Sequence, residues 1–272
     1  MQLHNVLSYY FKNILFMLLF AIAPAVFIGL LIQPFGLIEM LYNYPSMTSF
    51  SFGDFFLSVY SHGGWGILWF VLGFVLLVVF ISFLVGKIEY HFRTGRFDIS
   101  SHNARGLNNN FGDLAIMAGL MLLVDFLLNL VGILLMCLVH FIISAGGAVA
   151  LGSIIVNWVI GVLVVLLQGV FTCMFMFAAI DMIIMGSPLT VAMSNALNSF
   201  SRHKWSTILV SALPFAIAIG LTAIGCLLNI VWLTNIVSLL FIIPYVCIWG
   251  MINFFEYYNM PRYDNRQYYN LR

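Results

Sequence analysis

Asp125 is the residue in this sequence best placed to do chemistry. It falls near the middle of a long apolar run, where an ionised carboxylate is costly, so it is expected to face other protein segments, to be protonated or to have a partner. Asn129 follows one helical turn later and therefore lies on the same helix face. Gln168 falls at comparable depth in the next apolar run. It belongs to a polar stripe at roughly helical spacing that consists of Asn157, Gly161, Gln168 and Thr172.

Two interpretations of this polar set remain open. Asp125 and Gln168 could form a site for a proton or a ligand in the middle of a membrane. Alternatively, they could form a hydrogen bond that only holds two neighbouring helices together.

Three prolines, Pro24, Pro214 and Pro244, also fall inside apolar runs. A proline in a helix leaves the carbonyl of an earlier residue without its usual hydrogen-bond donor. Such a carbonyl can bind a substrate or an ion, as in transporters with broken helices. The alternative is an ordinary kink that packs against neighbouring helices.

Asp181 lies near the end of the fourth apolar run and is expected to pair with Arg202 or Lys204. This ion pair would fix the turn at Gly186-Ser187-Pro188. Trp205, beside Lys204, is typical of an aromatic anchor at a membrane interface. We interpret this group as a structural clamp rather than a catalytic site.

Other kinds of site are not indicated. The six histidines are scattered over different loops, whereas a zinc site needs three or four convergent ligands. All four cysteines fall in apolar runs, where a free thiol behaves as a small hydrophobe. The sequence contains no nucleotide-binding or hydrolase motif, so we expect neither an enzyme nor a cofactor. A net charge of +1, with basic residues only at the ends of apolar runs, argues against nucleic-acid binding.

The elements that must position these residues are membrane helices. The chain is 63% hydrophobic and 7% charged, whereas a soluble domain has about a quarter of its residues charged. The pattern predicts an all-α, polytopic membrane bundle formed by residues 1–256, followed by a tail at 257–272. The predicted spans are 13–32, 65–86, 114–138, 152–181, 206–228 and 232–255.

The distribution of basic residues predicts the orientation. With six spans, all ten lysines and arginines fall on the side that carries both termini. The positive-inside rule places that side in the cytoplasm, and the protein in the cell membrane. The first outer loop, 33–64, predicts a short interfacial helix near Ser51 and Asp54. The tail has no apolar periodicity and is expected to lie at the headgroups or to be disordered.

Similar segments lead into the odd-numbered spans: Leu7 to Phe11, Leu107 to Phe111 and Leu197 to Phe200. Each is expected at the cytoplasmic interface. They predict a parallel, threefold repeat of helical hairpins.

A more specific pattern lies around the fourth and fifth spans. Phe177-Ala178-Ala179-Ile180-Asp181 is followed by Ala192, Asn195-Ala196-Leu197, Ser199 and Lys204-Trp205. Together with the six-helix layout and the long first outer loop, this pattern resembles the bacterial YciC-like membrane proteins and the membrane domain attached to some glycerophosphodiester phosphodiesterases. The resemblance implies a bundle of three hairpins, but no activity, because the phosphodiesterase domain is absent from this chain.

Two functional hypotheses follow. The first is a permease-like or transport-accessory subunit that handles a hydrophobic or lipid-like molecule through Asp125, with a cytoplasmic ATPase or another membrane subunit as a partner. The second is a membrane scaffold or homeostasis protein that contacts membrane lipids and transports nothing. A chamber that reaches Asp125 would favour the first hypothesis.

Overall fold

The computed structural model describes residues 2–31, 34–43, 66–96, 105–145, 150–202 and 204–264. These residues form nine helices. They are α1 (Gln2–Lys12), α2 (Ile14–Leu31), α3 (Gly36–Asn43), α4 (Gly66–Thr94), α5 (Arg105–Ala145), α6 (Ala150–Met185), α7 (Leu189–Arg202), α8 (Lys204–Leu228) and α9 (Val231–Tyr257).

Length and composition identify the helices that can cross a bilayer, whose hydrocarbon core is about 30 Å thick. Five qualify: Phe74–Thr94, Phe111–Val139, Leu151–Met185, Thr207–Leu228 and Val231–Tyr257. A sixth candidate is the pair Leu3–Lys12 and Ile14–Leu30, which is bent by 89°. The described chain is therefore an all-helical integral membrane protein, which confirms the predicted fold class.

Helix α9 lies at the centre of the bundle, in contact with α1, α2, α4, α6 and α8. Its large side chains Tyr245, Phe254 and Phe255 are almost completely buried. Glycines on the neighbouring helices permit this close packing. A Cβ on Gly29 of α2 would clash with Ile236, and one on Gly225 of α8 would clash with Thr234.

Helix α5 lies at the edge of the bundle. It packs mainly on α6 and more lightly on α4. Gly132 of α5 fits against Val164 of α6. The opposite face of α5 is a continuous exposed apolar surface, as expected for a helix that contacts lipid: Ile116, Leu120, Leu123, Leu127, Val131, Leu134 and Leu138.

Each predicted span coincides with one observed helix. The two differ only at their ends, where several helices are longer than predicted. One such difference is in α4, which continues past the predicted end at residue 86 to Thr94. The cause is a buried stripe at helical spacing, Leu84, Ile88 and Phe92, each at most 1% exposed. One face of α4 therefore stays apolar and buried through a segment that looks polar in the sequence because it contains Lys87 and Glu89.

One end of the bundle carries α1, α7 and the C-termini of α4, α6 and α9, and we call it the basic end. Tyr9 of α1 meets His91 of α4 there, and Arg202 of α7 meets Tyr257 of α9. The opposite end carries α3. There, Leu41 of α3 packs against Gly161 of α6, and Phe35 packs against Phe215 of α8.

The three repeated lead-in segments do not share one structure. Leu7 to Phe11 lies in α1, a separate helix, and Leu197 to Phe200 lies in α7, also separate. Leu107 to Phe111, by contrast, is part of the uninterrupted helix α5. The lead-in to the third span therefore continues into the span without a break, unlike the lead-ins to the first and fifth spans.

Parts of the first outer loop and the tail are also described. Within the loop, Gly36–Asn43 forms α3, whereas the predicted helix near Ser51 and Asp54 lies outside the described residues.

In the tail, Tyr263 donates its backbone N–H to the carbonyl of Phe92 at 2.7 Å. The Arg262 guanidinium lies 4.2 Å from the centre of the Phe92 ring. Residues 262–263 of the tail therefore pack against the end of α4. The prediction offered two alternatives, the headgroups or disorder, and this contact argues against the second for these residues.

Candidate functional site

Asp125 occupies the middle of the most apolar span, on the side of α5 that faces α6. Protein atoms surround it closely, but part of its side chain remains accessible. Among the described residues, no hydrogen bond or ion pair reaches its carboxyl group. Within the part of the chain that the structure describes, Asp125 is therefore an acidic group without a partner, at the depth where such a group is most costly.

Asn129 and Gln168 form an interhelical hydrogen bond of the kind that one of the two interpretations assigned to Asp125 and Gln168. The Gln168 side-chain amide donates to Oδ1 of Asn129 at 3.0 Å, and both residues are buried. This pairing corrects the prediction, because Gln168 reaches Asn129 rather than Asp125. Asp125 lies one helical turn nearer the basic end than Asn129, and Thr172 lies one turn nearer that end than Gln168. Asp125 and Thr172 are therefore at the same level.

Further buried polar atoms lie between this pair and the α3 end. The side chains of Asn157, Thr222, Asn235 and Ser238 are at most 1% exposed, and polar atoms in all four have no hydrogen-bond partner within the described part of the chain. The contact of Gly225 with Thr234 sets the register between α8 and α9. In this register, Thr222 and Ser238 lie at the same level, each about one turn nearer the basic end than Gly225 and Thr234.

Such atoms are unusual, because each buried polar group without a partner costs about 1–3 kcal/mol. The polar stripe predicted on α6, from Asn157 to Thr172, is buried along its length. Leu41 and Met136 lie against Gly161, between the polar ends of this stripe.

Two of the three prolines leave carbonyls that tyrosine hydroxyls use. Pro214 cannot donate to the carbonyl of Val210, and the hydroxyl of Tyr245 donates to that oxygen at 2.9 Å. Pro244 likewise leaves the carbonyl of Leu240, which accepts a longer 3.4 Å bond from Tyr10. These two carbonyls are thus satisfied within the protein.

Asp181 is fully buried but pairs with neither Arg202 nor Lys204, which corrects the predicted clamp. Its Oδ2 accepts a hydrogen bond from the Asn195 amide at 2.9 Å, and its Oδ1 accepts one from the Tyr258 hydroxyl at 2.9 Å. The three residues join α6, α7 and the end of α9. Burial, the hydrogen bond to Asp181 and the negative charge of that carboxylate all raise the pKa of Tyr258.

The physical reason for the correction is the position of the cations. Arg202 and Lys204 are exposed, and the Arg202 guanidinium lies 4.8 Å from the centre of the Tyr257 ring. Neutral donors satisfy Asp181 without bringing a second charge into the interior. Trp205 is 78% exposed, consistent with the predicted interfacial anchor.

Several residues of the pattern from Phe177 to Trp205 lie where α6 and α7 pack together. Ala178 and Ala196 are at most 2% exposed, and their small size lets α7 pack closely on the end of α6. Asp181 and Asn195 form the hydrogen bond between these helices, and Phe177 packs edge-on against Tyr257.

Sequence reasoning missed the tyrosines at the basic end. Tyr9 shares a 2.7 Å hydrogen bond with His91 and packs edge-on against Phe92, which in turn packs against Phe255. Helical spacing could have indicated part of this set, since Leu84, Ile88 and Phe92 are four residues apart. The pairing of residues so distant in sequence has no local signal.

None of the family models, curated proteins or solved structures compared with this chain matches it. The resemblance to YciC-like proteins therefore stays a prediction from the motif residues alone.

Proposed function

We propose that this integral membrane protein is a permease-like carrier for a hydrophobic, lipid-like molecule, and that Asp125 receives the polar group of that molecule. The observation that carries the proposal is the carboxyl group of Asp125, a partly exposed residue, which has no partner among the described residues. Acidic groups at this depth mark substrate or proton pathways when they do not pair within the protein.

The surroundings of Asp125 favour a lipid-like substrate over a water-soluble one. Helix α5 carries an exposed apolar face along its length and is held mainly by α6. A molecule at this depth therefore meets hydrocarbon on one side and the polar group of Asp125, Asn129 and Gln168 on the other. A headgroup that donates hydrogen bonds, attached to an apolar body, fits both requirements.

The partnerless atoms of Asn157, Thr222, Asn235 and Ser238 support a polar route towards the α3 end. They provide both donors and acceptors, as a route for a headgroup requires. We place the basic end in the cytoplasm by the positive-inside rule, so this route would open towards the outer side. A cytoplasmic ATPase or another membrane subunit would supply energy for transport against a gradient, since the sequence has no nucleotide-binding motif.

A specific observation favours the scaffold hypothesis as the second candidate. At the basic end, Asp181, Asn195 and Tyr258 lock α6, α7 and α9 together, and the exposed side chains Phe11 and Trp205 suit a lipid interface. A protein of this kind would organise lipid around a rigid bundle and would leave Asp125 without a ligand.

Mass spectrometry of retained lipids distinguishes the two candidates. The protein is purified in mild detergent as the wild type, as Asp125→Asn and as the control Asp113→Asn, which changes an acidic residue nearer the basic end of the same helix. The carrier hypothesis predicts a molecule that the wild type and Asp113→Asn retain and that Asp125→Asn loses. Identical lipid profiles in all three proteins would contradict it.

A further inference from the structure

A group of sulfur atoms lies in the half of the bundle nearer the basic end, separate from Asp125. Sγ of Cys247 in α9 lies 3.8 Å from Sδ of Met176 in α6. Cys173 lies one turn before Met176 on the same helix face. Both cysteines are free and completely buried, and Met176 is 7% exposed.

The packing of α6 against α9 holds these sulfurs together. A Cβ on Gly250 of α9 would come within 3.3 Å of the Met176 side chain, so the glycine permits close approach one turn from Cys247. The two helices run parallel here, and each contributes at least one sulfur from a completely buried face. Neither helix needs to move for the side chains of Cys247 and Met176 to meet.

We propose that Cys173, Met176 and Cys247 form a binding site for a soft monovalent cation, Cu(I). Thiolate and thioether sulfurs are the ligands that select Cu(I). Two sulfurs that each lie about 2.3 Å from a metal, at trigonal or tetrahedral angles, are about 3.8–4.0 Å apart. The separation of Cys247 and Met176 matches that spacing.

Charge favours a monovalent ion over a divalent one. When Cu(I) binds, one thiol loses its proton to solvent as the S–H bond is replaced by an S–Cu bond, and the resulting centre is electrically neutral. A divalent ion such as zinc would need two thiolates for neutrality and usually a fourth ligand. Among the described residues, no group of three or more His, Cys, Asp and Glu side chains could hold a metal ion. Methionine is therefore essential to this site.

Anaerobic titration of the purified, full-length protein with Cu(I), against a chromophoric Cu(I) chelator, tests the proposal. We expect one competitive equivalent in the wild type. Because loss of even an outer-shell residue weakens metal binding about 10–100-fold, Cys247→Ala and Met176→Leu should each weaken binding about tenfold or more. The matched control is Cys226→Ala, which removes another buried thiol and should leave the affinity unchanged.

X-ray absorption of the copper-loaded wild type provides a readout that does not depend on how variants fold. The proposal predicts a coordination shell of sulfur alone. A shell that contains nitrogen or oxygen would overturn it, as would the absence of competitive Cu(I) binding or an equal loss of affinity in Cys226→Ala. In those cases the sulfur group is ordinary apolar packing. None of these outcomes depends on the proposed carrier function.

Discussion

The hydroxyl of Tyr245 donates a 2.9 Å hydrogen bond to the carbonyl of Val210, the oxygen that Pro214 leaves without its helical donor. Tyr245 is completely buried, and the bond joins α9 to α8 at the centre of the bundle. In hydrocarbon, a bare backbone carbonyl costs several kcal/mol, so the tyrosine makes the proline tolerable.

Replacing Tyr245 with phenylalanine is expected to destabilise the protein by about 1–3 kcal/mol, because the Val210 carbonyl then has no partner. In a Pro214→Ala background the helix can donate its own N–H to that carbonyl, and the loss should be much smaller. Unfolding measurements on the four proteins of this double-mutant cycle give the comparison. An equal loss in both backgrounds would show that the hydroxyl does not compensate for the proline.

The prolines show how far the sequence alone can predict this fold. Runs of apolar residues predicted all six candidate spans, because hydropathy is a local property. The partners of the freed carbonyls were not predictable, since Tyr245 lies 35 residues from Val210 in the chain.

Asp181 illustrates the same limit of prediction from sequence. Opposite charge suggested Arg202, whereas the tertiary arrangement brings Asn195 and Tyr258 to a fully buried carboxylate.

For the candidate site, sequence predicted the residues but not all of their pairing. Helical spacing predicted Asp125 and Asn129 on one face and Gln168 at comparable depth, and the hydrogen bond between Gln168 and Asn129 is consistent with that depth. A difference of one helical turn decides whether Gln168 meets Asn129 or Asp125, and the packing of Gly132 against Val164 contributes to that register.

The hydrogen bonds of Asp181 are expected to matter more than the nearby cations. Asp181→Ala leaves the Asn195 amide and the Tyr258 hydroxyl without their acceptor and should cost about 1–3 kcal/mol. Lys204→Ala removes an exposed charge and should change stability by no more than about 0.5 kcal/mol. Thermal unfolding in detergent measures both. A loss in Lys204→Ala as large as that in Asp181→Ala would restore the ion-pair interpretation.

Alkaline pH should weaken the same contact. The pKa of Tyr258 is raised above its ordinary value of 10.0 in the folded protein, so its contribution to stability is complete below about pH 10. That contribution declines as the pH rises from there towards the folded pKa, because the unfolded chain loses the proton first. Unfolding temperatures measured from pH 9 to pH 11 should therefore fall more in the wild type than in Tyr258→Phe. If the unfolding temperatures of the two proteins fall equally with pH, the raised pKa of Tyr258 in the folded protein is contradicted.

The orientation can be measured by labelling single cysteines introduced into a variant that lacks the four native ones. Asn43→Cys reports on the α3 end, and Ser201→Cys reports on the basic end, since both positions are exposed. If the basic end faces the cytoplasm, a membrane-impermeant maleimide should label Asn43→Cys in intact cells and Ser201→Cys only after lysis. Labelling of Ser201→Cys in intact cells would reverse the orientation.

The carrier function is tested most directly by lipid movement in proteoliposomes. The probe is phosphatidylethanolamine with a fluorescent label on one acyl chain, and dithionite quenches the probe only in the outer leaflet. The account predicts that the wild type and Asp113→Asn expose probe from the inner leaflet, whereas Asp125→Asn behaves like protein-free liposomes. Wild-type protein that leaves the inner leaflet protected, or Asp125→Asn that moves probe as fast as the wild type, would contradict it.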